Sequence, residues 1–170
     1  MKVAGVLLAA GSGSRFAGPS HKLLAGIGGE AVVSHAARSM VNSGLSGYLL
    51  VAGATELSSA LTEFSELVIV ENPESEHGIA TSLSVAVDWG EAAGFDALIV
   101  GLADQPGVLS SSWRRLSNSN APIAVANYDG LAGNPVRLEK SVWPLLPRSG
   151  DEGARVLLRT RPELVKQVAC

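Results

Sequence analysis

The sequence predicts an α/β fold with a mostly parallel sheet, and three observations carry that reading. Short, wholly apolar runs recur along the chain: residues 2–8 (KVAGVLL), 47–52 (GYLLVA), 67–70 (LVIV), 97–100 (ALIV) and 122–126 (PIAVA). Strands buried on both faces look like this, because helices cover both sides of a parallel sheet. Stretches with helical spacing alternate with them, which implies βαβ units with right-handed crossovers. The chain has 170 residues, with 46% hydrophobic and 17% charged. That suits one compact domain over residues 1–170 with a sizeable core.

Element by element, the first run leads into the Gly/Ser cluster at residues 11–14. Residues 30–41 place Val33, Ala36, Ala37 and Met40 on one helical face, with Gly44 as the stop. Residues 55–64 and 81–89 fit helices too. Ser110 is placed to cap a helix that carries Trp113 and Leu116. Residues 130–135 and 147–153 are turn-rich but too short to be linkers, and residues 152–159 close the series as a helix with Asp151 as its cap. Trp89, Trp113 and Trp143 fall in helical stretches as core or interface residues.

Charge and cysteine content narrow the function. The formal net charge is −3, so general electrostatics do not favour nucleic acid and any anion must be held by a local site. The only cysteine is Cys170, which excludes an intrachain disulfide and fits a reducing compartment. Gly11 interrupts the apolar run near the N-terminus, and no basic segment precedes it. The expectation is a cytoplasmic protein with no membrane partner.

The chemistry-bearing segment follows the first strand: LAAGSGSRFAGPSHK, residues 8–22. In open α/β sheets ligands bind beyond the carboxyl ends of strands. Gly11 and Gly13 let the backbone turn tightly and bring its N–H groups to an anion. Arg15 and Lys22 add positive charge, Arg15 with a fork that matches phosphate oxygens. The segment is not a P-loop, since no Gly-Lys-Ser/Thr follows the turn. Phe16 stands where a dinucleotide fingerprint needs a small third residue, which argues against a nicotinamide cofactor. A second run, ALIVGLADQP, residues 97–106, ends on a carboxylate, Asp104. Nucleotidyl transfer needs a hard cation on the migrating phosphate, and Mg²⁺ takes carboxylate and phosphate oxygens. Asp151 is a candidate second ligand as well as a candidate cap. Ser82 and the N–H groups near Thr81 are candidates for an acceptor phosphate at a helix N-terminus. His21, His35 and His77 show no metal-ligand spacing, and no Ser/His/Asp nucleophile pattern is present.

Taken together these segments resemble a known family. Residues 8–16 with Lys22, followed by Asp104-Gln105-Pro106, are similar to the molybdenum-cofactor nucleotidyltransferases, and most of all to the molybdopterin cytidylyltransferase branch. Residues 71–87 and the block from Gly133-Asn134-Pro135-Val136 through Trp143-Pro144 to Gly150-Asp151-x-Gly153-Ala154-Arg155 support that branch. The resemblance implies a three-layer, Rossmann-like, mostly parallel sheet of the nucleotidyltransferase type. It implies that Leu8, Ala9, Ala10, Gly11, Gly13, Arg15 and Lys22 bind a nucleotide, with Arg15, Lys22 and Asp104 catalytic. Mg²⁺ would sit on Asp104, with Asp151 the candidate second ligand from the residues themselves, and the acceptor would be the terminal phosphate of molybdopterin, with Ser82 and Asn134 the candidates to hold it. Ala10 points to CTP among the triphosphates, and a client molybdoenzyme is an implied partner. A sugar- or polyol-phosphate acceptor, or a non-catalytic delivery protein, are the alternatives. Two positions depart from the family pattern: Asn134 stands where a histidine is usual, and Ala103 where a glycine is usual.

Overall fold

The computed structural model describes residues 1–11 and 21–170; Gly13, Arg15 and Phe16 lie outside the described residues. Strand β1 (Val3–Ala9) is buried along its whole length. After the loop come a short hairpin, β2 (Gly26–Ile27) with β3 (Glu30–Ala31), and helix α1 (Val32–Val41). Then follow β4 (Gly47–Ala52), β5 (Leu67–Glu71), α2 (Ile79–Ala92), β6 (Ala97–Leu102) and α3 (Ser110–Ser117). The chain ends with β7 (Ile123–Tyr128), β8 (Leu131–Glu139), α4 (Arg155–Thr160) and β9 (Val165–Ala169).

Seven strands form one sheet in the order β5-β4-β1-β6-β8-β7-β9. Only β8 runs against its neighbours, β6 and β7; the other pairings are parallel. Alternation along β1 sorts the core into two halves. Val3, Leu7 and Ala9 pack with Val33, Ala37 and Met40 of α1 and with Trp113 and Leu116 of α3. Ala4, Val6 and Leu8 pack with Leu83, Ala86 and Val87 of α2 and with Leu157 of α4. The result is the three-layer, mostly parallel α/β sheet that the sequence predicts. Its parallel strands all end on one edge, and that edge carries the site.

Several local expectations are corrected. Residues 55–64 hold only a single 3₁₀ turn, Ser58–Ala60. Leu57, Leu61 and Phe64 are buried at helical spacing all the same, while the Glu56 carboxylate accepts from the Ser58 N–H at 2.5 Å. Such local side-chain bonds compete with helix formation. Ser110 is the first helical residue of α3 rather than its cap; Leu109 precedes it and makes no side-chain capping bond. Asp151 is not a cap either, because α4 starts only at Arg155 and Gly153, with φ +51°, turns the chain in between. Trp113 and Trp143 are core residues, whereas Trp89 is half-buried and stacks on Phe95 with ring centroids 5.0 Å apart.

Strand β8 stands where the sequence reads as a turn. The β7–β8 register jumps from Val125↔Val136 to Ala126↔Gly133, so Asn134 and Pro135 form a bulge in β8 and Pro135 removes no ladder bond. Between the buried Val136 and Leu138 stands a charge. Arg137 is fully buried, its Nη1 donates to the Ala121 carbonyl at 2.6 Å, and burial pulls its pKa below the usual arginine range.

Candidate active site

The strand ends define where functional side chains can meet. β1 and β6 lie side by side in register, Leu8 opposite Leu102, so the residues that follow each strand emerge together. Lys22 and Asp104 meet there: Lys22 Nζ donates to Asp104 Oδ2 at 2.8 Å, with side chains 32% and 38% exposed. That exposure leaves both groups open to a ligand and the pair screened by water. They line a cleft of about 1000 Å³ together with Leu8, Ala9, Ala10, Gly11, Ser82 and Asp151. The sequence-predicted lysine and carboxylate, 82 positions apart, are thus one constellation.

Two features fix the described ends of the loop after β1. Ala10 lies against Gly53, just past β4, where a Cβ would stand 2.9 Å from the Ala10 carbonyl oxygen. His21 clasps the other end: its Nε2 lies 3.1 Å from the Gly11 carbonyl, and its Nδ1 accepts from the Leu23 N–H at 3.3 Å. An accepting Nδ1 leaves Nε2 as the nitrogen that donates. Neither role is legible from histidine spacing. Gly53 does carry a signal, a glycine directly after an apolar strand at the ligand edge of an α/β sheet.

Ser82 is 2% exposed and accepts from Asn72 Nδ2 at 2.9 Å, as does Thr81 Oγ1. The N-terminus of α2 does not present its amides to the cleft as expected. The Ala80 N–H donates to the Gly150 carbonyl at 3.0 Å and the Thr81 N–H to the Gly78 carbonyl at 3.2 Å. A protein carbonyl occupies the place of the anion there.

A second chamber of about 560 Å³ adjoins the first and shares Leu8, Ile79, Leu102 and Asp151 with it. Leu83, Val100, Val125, Val136 and Leu158 give it an apolar floor, and Asn134, Glu152 and Arg155 stand among them. The Tyr128 hydroxyl donates to the Asn134 carbonyl at 2.9 Å, and burial pushes the Tyr128 phenol above its usual range, which keeps it a donor. Glu152 forms a bidentate pair with Arg159, at 2.7 and 3.0 Å, and those hydrogen bonds hold its carboxyl below the usual range. Asn134 and Asp104 therefore belong to adjoining chambers, with Asp151 on the wall between. Ala103 is fully buried in the core and its N–H donates to the Leu8 carbonyl at 3.1 Å. Its φ is not positive, so the missing glycine costs the backbone nothing at Asp104.

His35 Nε2 lies 2.9 Å from the Ile27 carbonyl, a structural contact between α1 and the small hairpin. His77 pairs with Glu74 at 2.9 Å, 58% exposed. Among the described residues no group of three or more His, Cys, Asp or Glu side chains gathers as a metal cage, and no helix is long and apolar enough to cross a membrane.

Residues 5–167 match the MobA-like NTP transferase domain. The chain belongs to the MobA-like NTP transferase family. It is a nucleotidyltransferase enzyme by family, and its fold is shared with a solved nucleotidyl transferase. Solved structures of similar fold include a nucleotidyl transferase from Methanothermobacter thermautotroptrophicus, Mth528, with TM-score 0.84 and 22% identity over 99% of this chain and 87% of that one. Rv0371c from Mycobacterium tuberculosis H37Rv superposes with TM-score 0.82 and 26% identity over 99% and 88% of the two chains; a further structure of Rv0371c is a complex with manganese. In sequence, this MobA-like chain is 34% identical to nicotine blue oxidoreductase from Paenarthrobacter nicotinovorans, over 99% of this chain and 87% of that protein. That name credits a protein of similar sequence with a redox reaction.

Proposed function

We propose that this MobA-like protein moves CMP from CTP to the terminal phosphate of molybdopterin, releasing pyrophosphate, and that residues 1–170 work as one domain in the cytoplasm. The observation that carries the reading is the Lys22–Asp104 pair at the joined ends of β1 and β6. A phosphate-seeking cation and a metal-seeking carboxylate stand in contact, where the fold puts its ligand.

The donor set fits a magnesium ion. Among the described lining residues of the first chamber, Glu76, Asp104 and Asp151 are acidic and only Lys22 is basic. A triphosphate meets net negative charge there, and hard carboxylate oxygens are the groups that hold Mg²⁺ alongside phosphates. Asp104 and Asp151 would hold the ion, which when bound neutralises charge on the phosphates. The chain's own residues do the rest. The Leu8–Gly11 backbone receives the nucleotide, with Gly13 and Arg15 completing the binding set. Lys22 leaves Asp104 for the phosphate oxygens, which frees a carboxylate as the triphosphate arrives. Asn134 orients the acceptor so that its phosphate oxygen attacks the α-phosphorus and pyrophosphate departs; Ser82, buried in the wall of the first chamber and held by Asn72, is not assigned to the acceptor. Ala10, on the cleft wall beside Gly53, supports cytosine over guanine through the family likeness. A client molybdoenzyme would receive the product.

The test is pyrophosphate release by the purified chain with Mg²⁺, offering CTP, GTP, ATP or UTP against molybdopterin, a sugar phosphate and a polyol phosphate. Release with CTP and molybdopterin is expected. Release only with a polyol or sugar phosphate moves the acceptor, and nucleotide binding without release makes the protein a carrier. The 34% identical relative supports a second reading, a redox reaction in the same chambers. Consumption of NADH or NADPH with no pyrophosphate release would favour it.

A further inference from the structure

We infer that Gly78 is a positioning residue for Asp151: it is the gap through which the loop bearing Asp151 seats on the start of α2. Gly78 has φ +102° and ψ 168°, a region that only glycine occupies without strain. A Cβ there would stand 2.5 Å from the Gly150 carbonyl carbon and 2.7 Å from Asp151 Oδ1, with the Gly150 carbonyl oxygen nearer still. Two of these atoms are backbone, so the collision cannot be relieved by a rotamer change. The contact is also fastened on both sides of Gly78. The Gly150 N–H donates to the His77 carbonyl, and the Ala80 N–H donates to the Gly150 carbonyl, each at 3.0 Å. These two bonds clamp the loop across Gly78, and the next residue, Asp151, is the carboxylate that lines both chambers. Opening the clamp by the width of a methyl group displaces Asp151 while leaving Asp104, on a different strand end, where it is.

The inference rests on the proposed reading of Asp151 as a ligand of the divalent ion, and the experiment separates the two. Mn²⁺ binding to the purified full chain, with a non-hydrolysable CTP analogue present, is followed by the loss of the free-ion paramagnetic resonance signal. The variants are Gly78→Ala, Asp151→Asn, their double, and Gly94→Ala. Gly94 has φ +70° and open space around its Cβ among the described residues, so it reports backbone strain without collision. Asp151→Asn is expected to weaken Mn²⁺ binding about tenfold, Gly78→Ala by a comparable factor, and the double no further than Asp151→Asn alone. Gly94→Ala lowers Tm and leaves Mn²⁺ binding unchanged. If Gly78→Ala does not fold, Gly150→Ala strains the same clamp, at φ +95° with no collision, and is expected to weaken Mn²⁺ in the same non-additive way. Wild-type Mn²⁺ binding in the clamp variant, or independent multiplying losses in the double, overturns the positioning role. Wild-type binding in Asp151→Asn removes the ligand reading and the inference with it.

Discussion

The chamber beside Lys22 and Asp104 and the chamber beside Asn134 open on the same edge of the sheet, yet their chemistry differs. The first is walled by loops that follow parallel strands and carries Lys22, Glu76, Asp104 and Asp151. The second is floored by side chains of the strands and helices themselves, Val100, Val125, Val136 and Leu83, with its polar groups above. Free strand ends leave backbone and charged side chains for a polyanion, whereas the antiparallel β8 extends the sheet and gives a flat apolar support. The difference teaches that one sheet, by reversing one strand, makes a charged cleft and an apolar-floored cleft side by side.

Lys22→Met should break that contrast most strongly. The account predicts a fall in kcat/KM for CTP of about 100-fold. In the same variant, Mn²⁺ binding without nucleotide should tighten by about tenfold, on the order of one like charge removed in a water-like dielectric. On this account the lysine competes with the ion for Asp104 and releases it only to a triphosphate, so steady-state kinetics and a metal titration should move in opposite directions. A variant that loses activity with unchanged metal affinity would mean the ion pair is merely structural.

How much of this was legible in the sequence follows from the same contrast. Around the first chamber most of the chain reads plainly: the runs that became β1, β4 and β6 are apolar and buried on both faces, and Lys22 and Asp104 follow β1 and β6 at the ligand edge; β5 departs from that reading, an edge strand with Val68 and Ile69 exposed. Around the second chamber the signals conflict. β8 holds Gly133, Pro135 and a buried Arg137, each of which argues against a central strand until the bulge formed by Asn134 and Pro135 is seen. β9 is an edge strand whose Lys166 and Gln167 face solvent, so no apolar run announces it. His21, Gly53 and the Gly78–Gly150 clamp depend on contacts between distant segments, which local spacing does not encode. Gly150-Asp151-Glu152 has a capping look in the sequence, and the positive φ of Gly153 defeats it.

Asn134→Ala sharpens the comparison with a smaller effect. KM for the phosphate acceptor should rise about tenfold while KM for CTP stays within about twofold, as expected when one hydrogen-bonding side chain is lost from one chamber only. Two-substrate kinetics read both constants from one protein sample. Equal changes in both would mean that the chambers are not separate sites.

The central claim is that the strand-end cleft takes a triphosphate through a divalent ion on Asp104. Calorimetric titration of CTP into the wild-type chain and into Asp104→Ala, each with Mg²⁺ and with EDTA, tests it most directly. The account predicts CTP binding that needs Mg²⁺ in the wild type and falls to the EDTA level in Asp104→Ala, with the folded state retained by circular dichroism. Equal CTP affinity in all four titrations would contradict it.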